Sequence, residues 1–472
     1  MTGGQLRITE TEIPGLLVAE LPVHPDSRGW FKENWQREKM TAAGLPDFGP
    51  VQHNISFNDV VGTTRGIHAE PWDKWVSVAT GRVFGAWVDL RQGPTFGTRF
   101  AIEVSPSRAV FVPRGVGNAY QTLEPGTAYS YLVNDHWSPE AEYSFLNLAD
   151  ETVAVPWPIA LASAQISPKD RAHPRLTDVV PLPPRRMLVV GAGGQLGTAL
   201  RTEFGSASHV EFAERSTLDI ANPGVLTARR WRDYSVIVNA AAFTGVDRAE
   251  TPEGRRLAWD ANVRGTAHLA RIAIENGLTL VHVSSDYVFD GASERPYREG
   301  DPASPLGVYG QTKAAADAVV STVPRHYILR TSWVIGDGAN FVRTMSALAA
   351  RGVNPAVVDD QLGRLTFADD LARAISHLLS AGAEFGVYNV TGDGLPTTWA
   401  DIARAVFTMT GHDPSRVRAV STPEYFRTAT TPVAPRPRYS VLDLEKITRA
   451  GFAPTDALAS LAAHLGAGSA QA

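Results

Sequence analysis

The stretch Met187-Leu-Val-Val-Gly-Ala-Gly-Gly-Gln-Leu-Gly197 decides the fold of the second half of the chain. Its first four residues form an apolar run typical of a buried strand, and a glycine-rich turn and the start of a helix pattern follow. Glycines at these points allow a tight turn and the close approach of a pyrophosphate, which the first N–H groups of the helix and its dipole can hold. The spacing G-x-x-G-x-x-G is by itself common in strand-to-helix turns. The predicted dinucleotide contacts in this turn are Gly191, Gly194, Gln195, Leu196 and Gly197.

Strand and helix patterns alternate through the rest of this half. Further buried-strand runs cover 236–240, 278–283 and 327–330, and helix-like segments cover 254–276, 311–321 and 341–350. Strands alternating with helices indicate a parallel sheet covered on both faces. We therefore predict an α/β Rossmann-type doubly wound parallel sheet, with a smaller substrate-binding part, over residues 187–472.

The first half has a different texture. Short runs rich in Val, Phe, Tyr and Trp are separated by Gly and Pro turns, for example at 83–90, 100–104, 109–113 and 127–133. Closely spaced strands of this kind favour an antiparallel sandwich or barrel, here assigned to residues 1–175. A proline-rich polar stretch follows, and we predict a linker over 176–186. A proline-rich edge within one domain is the alternative.

Composition bounds the class of protein. The chain has 472 residues, a net charge of −5 and 44% hydrophobic residues, which is enough to build two large domains or about three. The charge argues against a broadly basic nucleic-acid surface. The absence of cysteine excludes disulfides, zinc–thiolate sites and a Cys nucleophile. No apolar run approaches the ~18 residues of a membrane span, and the polar N-terminus is unlike a signal peptide, so we expect a cytoplasmic protein without nucleic-acid or membrane partners.

A candidate proton donor lies in the second half. Tyr309 and Lys313 are four residues apart and so share one helix face. A nearby ammonium is expected to lower the pKa of the phenol, so that Tyr309 exchanges a proton during hydride transfer to a carbonyl. Lys313 can also hold the nicotinamide ribose. Ser285 ends a predicted strand, where catalytic groups of open α/β sheets gather, and its hydroxyl can bind the carbonyl oxygen.

The cofactor signal is mixed. Glu214 and Arg215 follow the second predicted strand. An acid at this position usually binds a ribose 2′-hydroxyl, and an arginine can take a 2′-phosphate. The sequence therefore leaves NADH possible, and Arg215 favours NADPH. Further predicted cofactor contacts are Asp219, Ala240 and Ala241.

Taken together, these elements resemble an extended short-chain dehydrogenase/reductase, and residues 187–463 resemble dTDP-4-dehydrorhamnose reductases more closely. The matching stretches are 191–197, 238–250, 284–289, 309–313, 330–334, 360–363 and 436–437. The resemblance implies that Tyr309 is the proton donor and Lys313 its partner. It makes Ser285, where the family commonly has Thr, the third member, and places Trp333 and Arg436 against a nucleotide-sugar. An inactive regulatory relative is an alternative, but we expect such a protein to lack the Tyr/Lys pair.

Histidines are the first candidates for chemistry in the first half. None of the five forms H-x-H, so the local ligand pair of a metal site is missing and no metal is expected. The best cluster is His68 with Lys74, and Tyr131 and Asp170 follow later in the chain. An isolated histidine is more often a structural residue, and the other three residues are individually ordinary.

This half nevertheless resembles dTDP-4-dehydrorhamnose 3,5-epimerases, a metal-independent jelly-roll (cupin-like) family. The matching stretches over residues 7–175 include 26–33, 52–54, 65–68, 88–91, 93–97, 113–115, 157–158 and 167–170. The resemblance makes His68 the base oriented by Asp170, Tyr131 the acid on the opposite face and Lys74 the stabiliser of an enolate. The implied substrate contacts are Arg28 and Arg65 for the diphosphate, Phe31 for the thymine, and Glu33, Gln52, Asn54 and Asn118.

Three departures from the epimerase pattern leave the outcome at each carbon open. Asn118 stands where the family usually has His, Trp137 where it usually has a second Tyr, and the segment from His68 to Lys74 is short. These changes are compatible with epimerisation at C3 and C5, at one carbon only, on another 4-keto sugar, or with a non-catalytic module. The resemblance also implies a homodimer formed through the first domain.

The two resemblances fall on consecutive reactions, because the product of such an epimerase is the substrate of such a reductase. We therefore predict a bifunctional isomerase and oxidoreductase that makes dTDP-L-rhamnose from dTDP-4-dehydro-6-deoxy-D-glucose.

Overall fold

The computed structural model describes residues 5–139, 141–227 and 229–469. The chain divides into two compact units, 1–184 and 185–472. The outer ends of the two predicted domains, 1–4 and 470–472, lie outside the described residues.

The first unit is built from antiparallel strands, as predicted. Its strands are β1 (Arg7–Glu10), β2 (Leu17–Glu20), β3 (His24–Asp26), β4 (Gly29–Phe31), β5 (Gln52–Asn58), β6 (Thr64–Ala69), β7 (Lys74–Thr80), β8 (Val83–Asp89), β9 (Arg99–Val104), β10 (Arg108–Val112), β11 (Val116–Thr122), β12 (Thr127–Val133) and β13 (Ser144–Phe145). One sheet has the order β1-β2-β10-β7-β12-β5 and the other β13-β6-β11-β8-β9. The hairpin β3–β4 pairs separately from both sheets. This confirms the antiparallel, jelly-roll class of the first unit.

Apolar side chains from the facing sheets form the core of this unit. Val76 on β7, Trp87 on β8 and Val110 on β10 are fully buried in one cluster. Burial of such side chains stabilises each by roughly 1.5–3 kcal/mol. Because strand side chains alternate in direction, the same strands present polar residues elsewhere, and those positions supply the site.

The segment predicted as a linker packs on the first unit. It begins with a 3-10 turn at Leu176–Asp178. Leu176 and Val179 are buried in the core cluster that holds Ile67, and Leu182 is also buried. Two short helices complete this unit, α1 (Arg37–Ala42) and α2 (Pro168–Arg171).

The second unit contains the predicted parallel sheet. Its order is β15-β14-β16-β17-β18-β23, all neighbours being parallel. The strands of this sheet are β14 (Arg186–Val190), β15 (Val210–Ala213), β16 (Tyr234–Asn239), β17 (Thr279–Ser285), β18 (His326–Thr331) and β23 (Gly386–Asn389). Separate apolar clusters lie on its two faces, since Val189 belongs to one and its neighbour Leu188 to the other. The doubly wound class is therefore confirmed.

Helices and short strands complete the second unit. The helices are α3 (Gln195–Phe204), α4 (Pro223–Leu226), α5 (Pro252–Ala258), α6 (Thr266–Asn276), α7 (Val308–Val320), α8 (Phe341–Ala350), α9 (Ala368–Ser380), α10 (Trp399–Met409), α11 (Thr422–Tyr425), α12 (Glu445–Arg449) and α13 (Ala457–Ser469). The short strands are β19 (Val334–Ile335), β20 (Ala356–Val358), β21 (Leu362–Gly363), β22 (Thr366–Phe367), β24 (Thr397–Thr398) and β25 (Arg418–Val420). A separate core under α8 and α10 marks a smaller part of this unit, which is where the sequence predicted substrate binding. Among the described residues, no helix combines the length and the apolar composition needed to cross a membrane.

Candidate active sites

A cavity of about 580 Å³ opens in the first unit between residues of both sheets. His68 on β6 and Tyr131 on β12 line it, together with Asp170 from α2. The cap of α2 explains the position of Asp170: the Ser167 hydroxyl accepts a hydrogen bond from the Asp170 N–H, so the carboxyl-bearing residue is fixed in the first turn. The structure thus brings three of the predicted catalytic residues to one cavity.

His68 and Asp170 form a hydrogen-bonded pair. Nε2 of His68 lies 3.1 Å from Oδ1 of Asp170, and the Gly66 N–H donates to Oδ2 at 3.4 Å. Burial alone would raise the pKa of Asp170, but the hydrogen bond from His68 holds the pKa of this carboxyl below its ordinary value. About a third of the His68 side chain remains exposed. An ionised carboxylate on one ring nitrogen fixes the tautomer and leaves the other nitrogen as a base.

Tyr131 is suited to remain protonated. Burial raises the pKa of this phenol, and the nearby Glu70 carboxylate raises it further. Glu70 also lines the cavity, and it pairs with the ammonium of Lys74, which is buried. Lys74 is not among the described residues that line the cavity, but its Nζ lies 6.0 Å from the centre of the Tyr131 ring. The predicted enolate stabiliser is therefore engaged by a carboxylate that sequence reasoning did not single out.

The predicted substrate contacts of the first unit separate into two groups. Gln52 and Asn54, which are hydrogen-bonded to each other at 2.9 Å, line the cavity. The others are placed elsewhere: Arg28 pairs with Asp26, Glu33 with Lys39, Arg65 donates to Asn58, Asn118 accepts from Tyr129, and Phe31 is exposed. In the single chain, then, the residues assigned to the diphosphate and the thymine lie outside the cavity.

Aromatic residues that the sequence did not single out form much of the wall. Trp72, Tyr143 and Phe145 line the cavity, and so does Trp137. Phe145 contacts the His68 ring edge-on at 5.7 Å between centroids. These residues lie on two loops and a two-residue strand, for which periodicity offers no signal.

His173 joins His68 and Asp170 in a cluster whose ligand atoms lie within 4.8 Å of one another. Such a set has the residue types of a metal site. His173 is, however, buried and stacked on Phe145 at 4.8 Å, and burial lowers the pKa of its imidazole. Its Nε2 is 3.8 Å from Asp170, beyond hydrogen-bond distance, so the short contact of that carboxylate is to His68.

The glycine turn of the second unit fits a dinucleotide. Gly191 has φ +78°, and a Cβ there would lie 2.5 Å from the Ala241 nitrogen. A Cβ on Gly197 would lie 2.4 Å from the Gly191 carbonyl oxygen, so this glycine permits the close packing of α3 on the turn. Helix α3 has no side-chain cap, and Oε1 of Gln195 is buried without a hydrogen-bond partner among the described residues. Free N–H groups at such a helix start are typical of a pyrophosphate site.

Two adjoining cavities extend from this turn. One, of about 660 Å³, is lined by Gly191, Gly194, Arg215, Asp219, Ala240 and Ala241. The other, of about 640 Å³, is lined by Gly194, Gln195, Leu196, Ala240, Ala241, Ser285, Tyr309, Lys313 and Trp333. Every predicted cofactor contact except Gly197 therefore lies on one of the two. The Nε of Arg215 is 3.5 Å from Asp219, and both residues line the first cavity. Because the Arg215 side chain is largely exposed, it is available to a cofactor bound there.

The candidate catalytic groups of this unit gather at the carboxyl end of β17, where Ser285 and Lys313 are buried and Tyr309 is half-buried. Ser285 ends this strand, and its hydroxyl donates to Asp286 at 2.8 Å. Tyr309 and Lys313 lie one turn apart on α7. Burial lowers the pKa of Lys313 to about 8, and its Nζ donates to the Val283 carbonyl at 2.6 Å.

The predicted lowering of the Tyr309 pKa is wrong. Burial raises the pKa of this phenol to about 12, and the Asp286 carboxylate acts in the same direction. Tyr309 and Lys313 do lie one helical turn apart, but the cost of burying a phenolate dominates, and the contact that lowers the pKa comes from the Ser285 hydroxyl and not from Lys313. Asp286, which the sequence reading did not assign, is itself fully buried, and burial raises its pKa to about 6.

The two predicted sugar contacts of the second unit differ in placement. Trp333 lines the cavity that holds Tyr309. Arg436 is not among the described residues lining either cavity. Its guanidinium instead donates to Asp247 at 2.8 Å and lies over the Phe426 ring.

These features define the class of each unit. The second unit has a doubly wound sheet, a glycine turn and a Ser/Tyr/Lys group. These are the features of a dinucleotide-dependent reductase of the extended short-chain type. The antiparallel unit, with a His–Asp pair and a tyrosine in one cavity, has the site of a jelly-roll epimerase.

Comparison with known proteins assigns the families. Residues 185–466 match the family model of the RmlD substrate binding domain, and residues 10–178 match that of dTDP-4-dehydrorhamnose 3,5-epimerase. The chain thus belongs to the dTDP-4-dehydrorhamnose reductase family through its second unit and to the 3,5-epimerase family through its first. It is a fusion of an isomerase domain and an oxidoreductase domain.

Individual relatives support both assignments. A protein called RmlC homolog from Streptococcus pyogenes serotype M6 is 49% identical over 181 residues, which are 37% of this chain and 91% of that protein. The dTDP-4-dehydrorhamnose reductase of Mycobacterium tuberculosis is 39% identical over 277 residues, 57% of this chain and 88% of that protein. The crystal structure of the reductase from Bacillus anthracis in complex with NADP is 30% identical, with a TM-score of 0.55, and covers 60% of this chain and 98% of its own.

Proposed function

We propose that this chain makes dTDP-L-rhamnose from dTDP-4-dehydro-6-deoxy-D-glucose in two consecutive reactions. The first unit epimerises the keto sugar at C3 and C5, and the second unit reduces the 4-keto group with NADPH. The observation that carries the proposal is the presence of two complete proton-transfer groups in separate cavities of one chain. His68, Asp170 and Tyr131 line one cavity, and the other holds Ser285 and Tyr309.

Epimerisation requires a base and an acid on opposite faces of the sugar ring. His68, held by the Asp170 carboxylate, removes the proton from the carbon next to the ketone, and the electron pair of that C–H bond forms the enolate. Negative charge then develops on the ketone oxygen. The Lys74 ammonium, which is paired with Glu70 behind the cavity wall, would stabilise this charge after leaving that ion pair. Tyr131, whose raised pKa keeps it protonated, returns a proton to the carbon from the other face. His68 then releases its proton to solvent and Tyr131 takes one up, which restores both groups for the next proton transfer.

Reduction requires a proton at the carbonyl oxygen while a hydride reaches the carbon. The glycine turn and Arg215 would hold NADPH, which when bound supplies the hydride. Tyr309 gives its proton to the carbonyl oxygen, and a pKa of about 12 means that this proton is present at neutral pH. Ser285 donates a hydrogen bond to the same oxygen, exchanging the contact it now makes with Asp286. Lys313 positions the nicotinamide ribose.

We propose a homodimer formed through the first unit. Strand β5 lies at the edge of its sheet and exposes Ile55 and Phe57, while Asn54 on its other face lines the cavity. Unpaired edges with apolar side chains are typical of strand-pairing surfaces. A second copy on this edge would cover those residues and could bring hairpin β3–β4, with Arg28 and Phe31, to its partner's cavity. A cytoplasmic location is likewise a prediction.

The proposal is tested by supplying dTDP-4-dehydro-6-deoxy-D-glucose with NADPH and following the nicotinamide absorbance. We expect NADPH consumption without any added epimerase. Consumption only with pre-epimerised substrate would show that the first unit does not catalyse, and no consumption with either substrate would contradict the reductase assignment. Parallel assays with NADH measure cofactor preference, which Arg215 is expected to direct towards NADPH.

A further inference from the structure

An aromatic pair forms one wall of the reductase cavity. The rings of Trp333 and Trp399 are stacked, with centroids 4.0 Å apart and planes 21° from parallel. Both line the cavity that holds Tyr309. Trp333 follows strand β18, whereas Trp399 is the first residue of α10, in the smaller part of the unit. The wall therefore joins the nucleotide-binding part to the substrate-binding part.

The backbone of Trp333 is in the left-handed region, with φ +47°. A residue with a Cβ is disfavoured there, and such outliers persist only where the surroundings hold them. The Thr366 N–H donates to the Trp333 carbonyl at 3.2 Å, which fixes the backbone but not the ring. The orientation of the indole must come from its side-chain contacts.

Two side-chain contacts hold the indole. A Cβ on Gly363 would lie 2.7 Å from the Trp333 ring, so the ring rests directly on this glycine. Trp399 packs on the ring by stacking. Gly363 on β21 pairs with Thr397 on β24, two residues before Trp399. The short strand pair β21–β24 therefore carries Gly363 and leads directly into Trp399.

The remaining neighbours hold Trp399 in place. Its ring contacts Phe341 at 4.6 Å between centroids. The Thr398 hydroxyl and the Asp401 carboxylate form a capping box that fixes the start of α10. Trp399 is thereby a rigid part of the wall, and Trp333 depends on it.

We propose that Trp399 is a positioning residue for the sugar: together with Gly363 it holds the Trp333 indole at the height and angle at which its face meets the hexose. This rests on the proposed reductase function. An indole face offers a flat apolar surface to the C–H groups of a pyranose, and its contribution falls if the ring can tilt. Trp399 acts through Trp333 and is not required for proton or hydride transfer.

The test compares Trp399→Leu, Trp399→Phe and Gly363→Ala with the unchanged chain. Trp399→Leu removes the stack, and we expect the KM for the nucleotide-sugar to rise roughly two- to tenfold. Trp399→Phe should restore part of the loss. Gly363→Ala presses on the six-membered ring of the same indole and should raise the same KM. The KM for NADPH should stay within about twofold, because none of these residues lines the cavity that holds Gly191 and Arg215.

Controls within the chain separate positioning from misfolding. Solvent-deuterium exchange by the first unit normalises the protein concentration, an unchanged KM for NADPH reports an intact second unit, and Trp259→Phe changes an exposed indole elsewhere in that unit. An unchanged sugar KM in both Trp399→Leu and Gly363→Ala would overturn the inference, and so would an equal rise in both KM values. An unchanged chain that consumes no NADPH would overturn the proposed function, and this inference with it.

Discussion

Asp170 lies 3.1 Å from the imidazole of His68, although 102 positions separate the two residues in the chain. The contact joins a strand of one sheet to a short helix near the end of the first unit. Because the hydrogen bond from His68 holds the pKa of the buried Asp170 carboxyl below its ordinary value, the carboxyl stays ionised at neutral pH and orients the imidazole. This pair supplies the base of the proposed epimerisation.

Replacing Asp170 by Asn should slow epimerisation by about 10²- to 10⁴-fold, since a positioned general base contributes about that much. The amide keeps the shape but cannot stabilise the imidazolium. Deuterium incorporation at C3 and C5 in the absence of NADPH measures the effect. Asp178→Asn, at an exposed position of the same unit, is the matched control. Exchange at the rate of the unchanged chain would remove Asp170 from the mechanism.

Replacing Tyr309 by Phe should reduce NADPH oxidation by about 10²- to 10⁴-fold and leave deuterium exchange by the first unit intact. The ring still packs edge-on against Tyr287, so the fold is retained and only the proton is lost. The exposed Tyr425→Phe serves as control. If the Tyr309 variant reduced the substrate at the normal rate, another group would have to donate the proton.

Much of this could be predicted from sequence. The strand–glycine–helix turn and the alternation after it predicted the parallel sheet, and a helix predicted at 341–350 is found there as α8. Local spacing also placed Tyr309 and Lys313 on one face. Periodicity is a property of neighbours in the chain, and all of these features are local.

The features that sequence reasoning missed depend on tertiary contacts. The direction of the Tyr309 pKa follows from its burial, which spacing does not report. The ion pair between Lys74 and Glu70 could not be predicted, because it depends on the directions of both side chains in the folded unit. The stack of Trp333 on Trp399 joins two elements distant in sequence, for which neither residue carries a local signal.

Asp286 predicts a pH-dependent stability difference. Its carboxyl titrates near 6 when folded, against 3.8 for an ordinary aspartate. The unfolded chain releases this proton near pH 4 while the folded chain holds it until about 6, so ionisation of Asp286 costs stability as the pH rises through this window. Asp286→Asn removes the cost, and the variant should be more stable than the unchanged chain by up to about 3 kcal/mol at pH 7.5.

The measurement is urea unfolding of the second unit at several pH values. The advantage of the variant should shrink as the pH falls from 6 to 4. Asp290→Asn is a control of opposite sign, because hydrogen bonds from the Ala292 N–H and the Tyr297 hydroxyl lower the pKa of Asp290. That variant should lose stability at pH 7.5. An Asp286→Asn advantage that does not change with pH would contradict the assigned titration.

The dimer proposal makes a prediction at the β5 edge. The double variant Ile55→Lys and Phe57→Lys places two like charges where a second copy would pack, and we expect it to be a monomer by sedimentation while the unchanged chain is a dimer. If hairpin β3–β4 completes the partner's cavity, the monomeric variant should lose epimerase activity. Its reductase activity should persist. Val180→Lys, at another exposed apolar position of this unit, should remain dimeric. A monomeric unchanged chain would exclude the proposed assembly.

The central claim is that one chain performs both chemistries on one sugar. The most direct measurement incubates the unchanged protein with dTDP-4-dehydro-6-deoxy-D-glucose and NADPH in deuterium oxide and identifies the product by NMR. We expect dTDP-L-rhamnose carrying deuterium at both C3 and C5. A reduced product that retains the original configuration and hydrogen at both carbons would contradict the account.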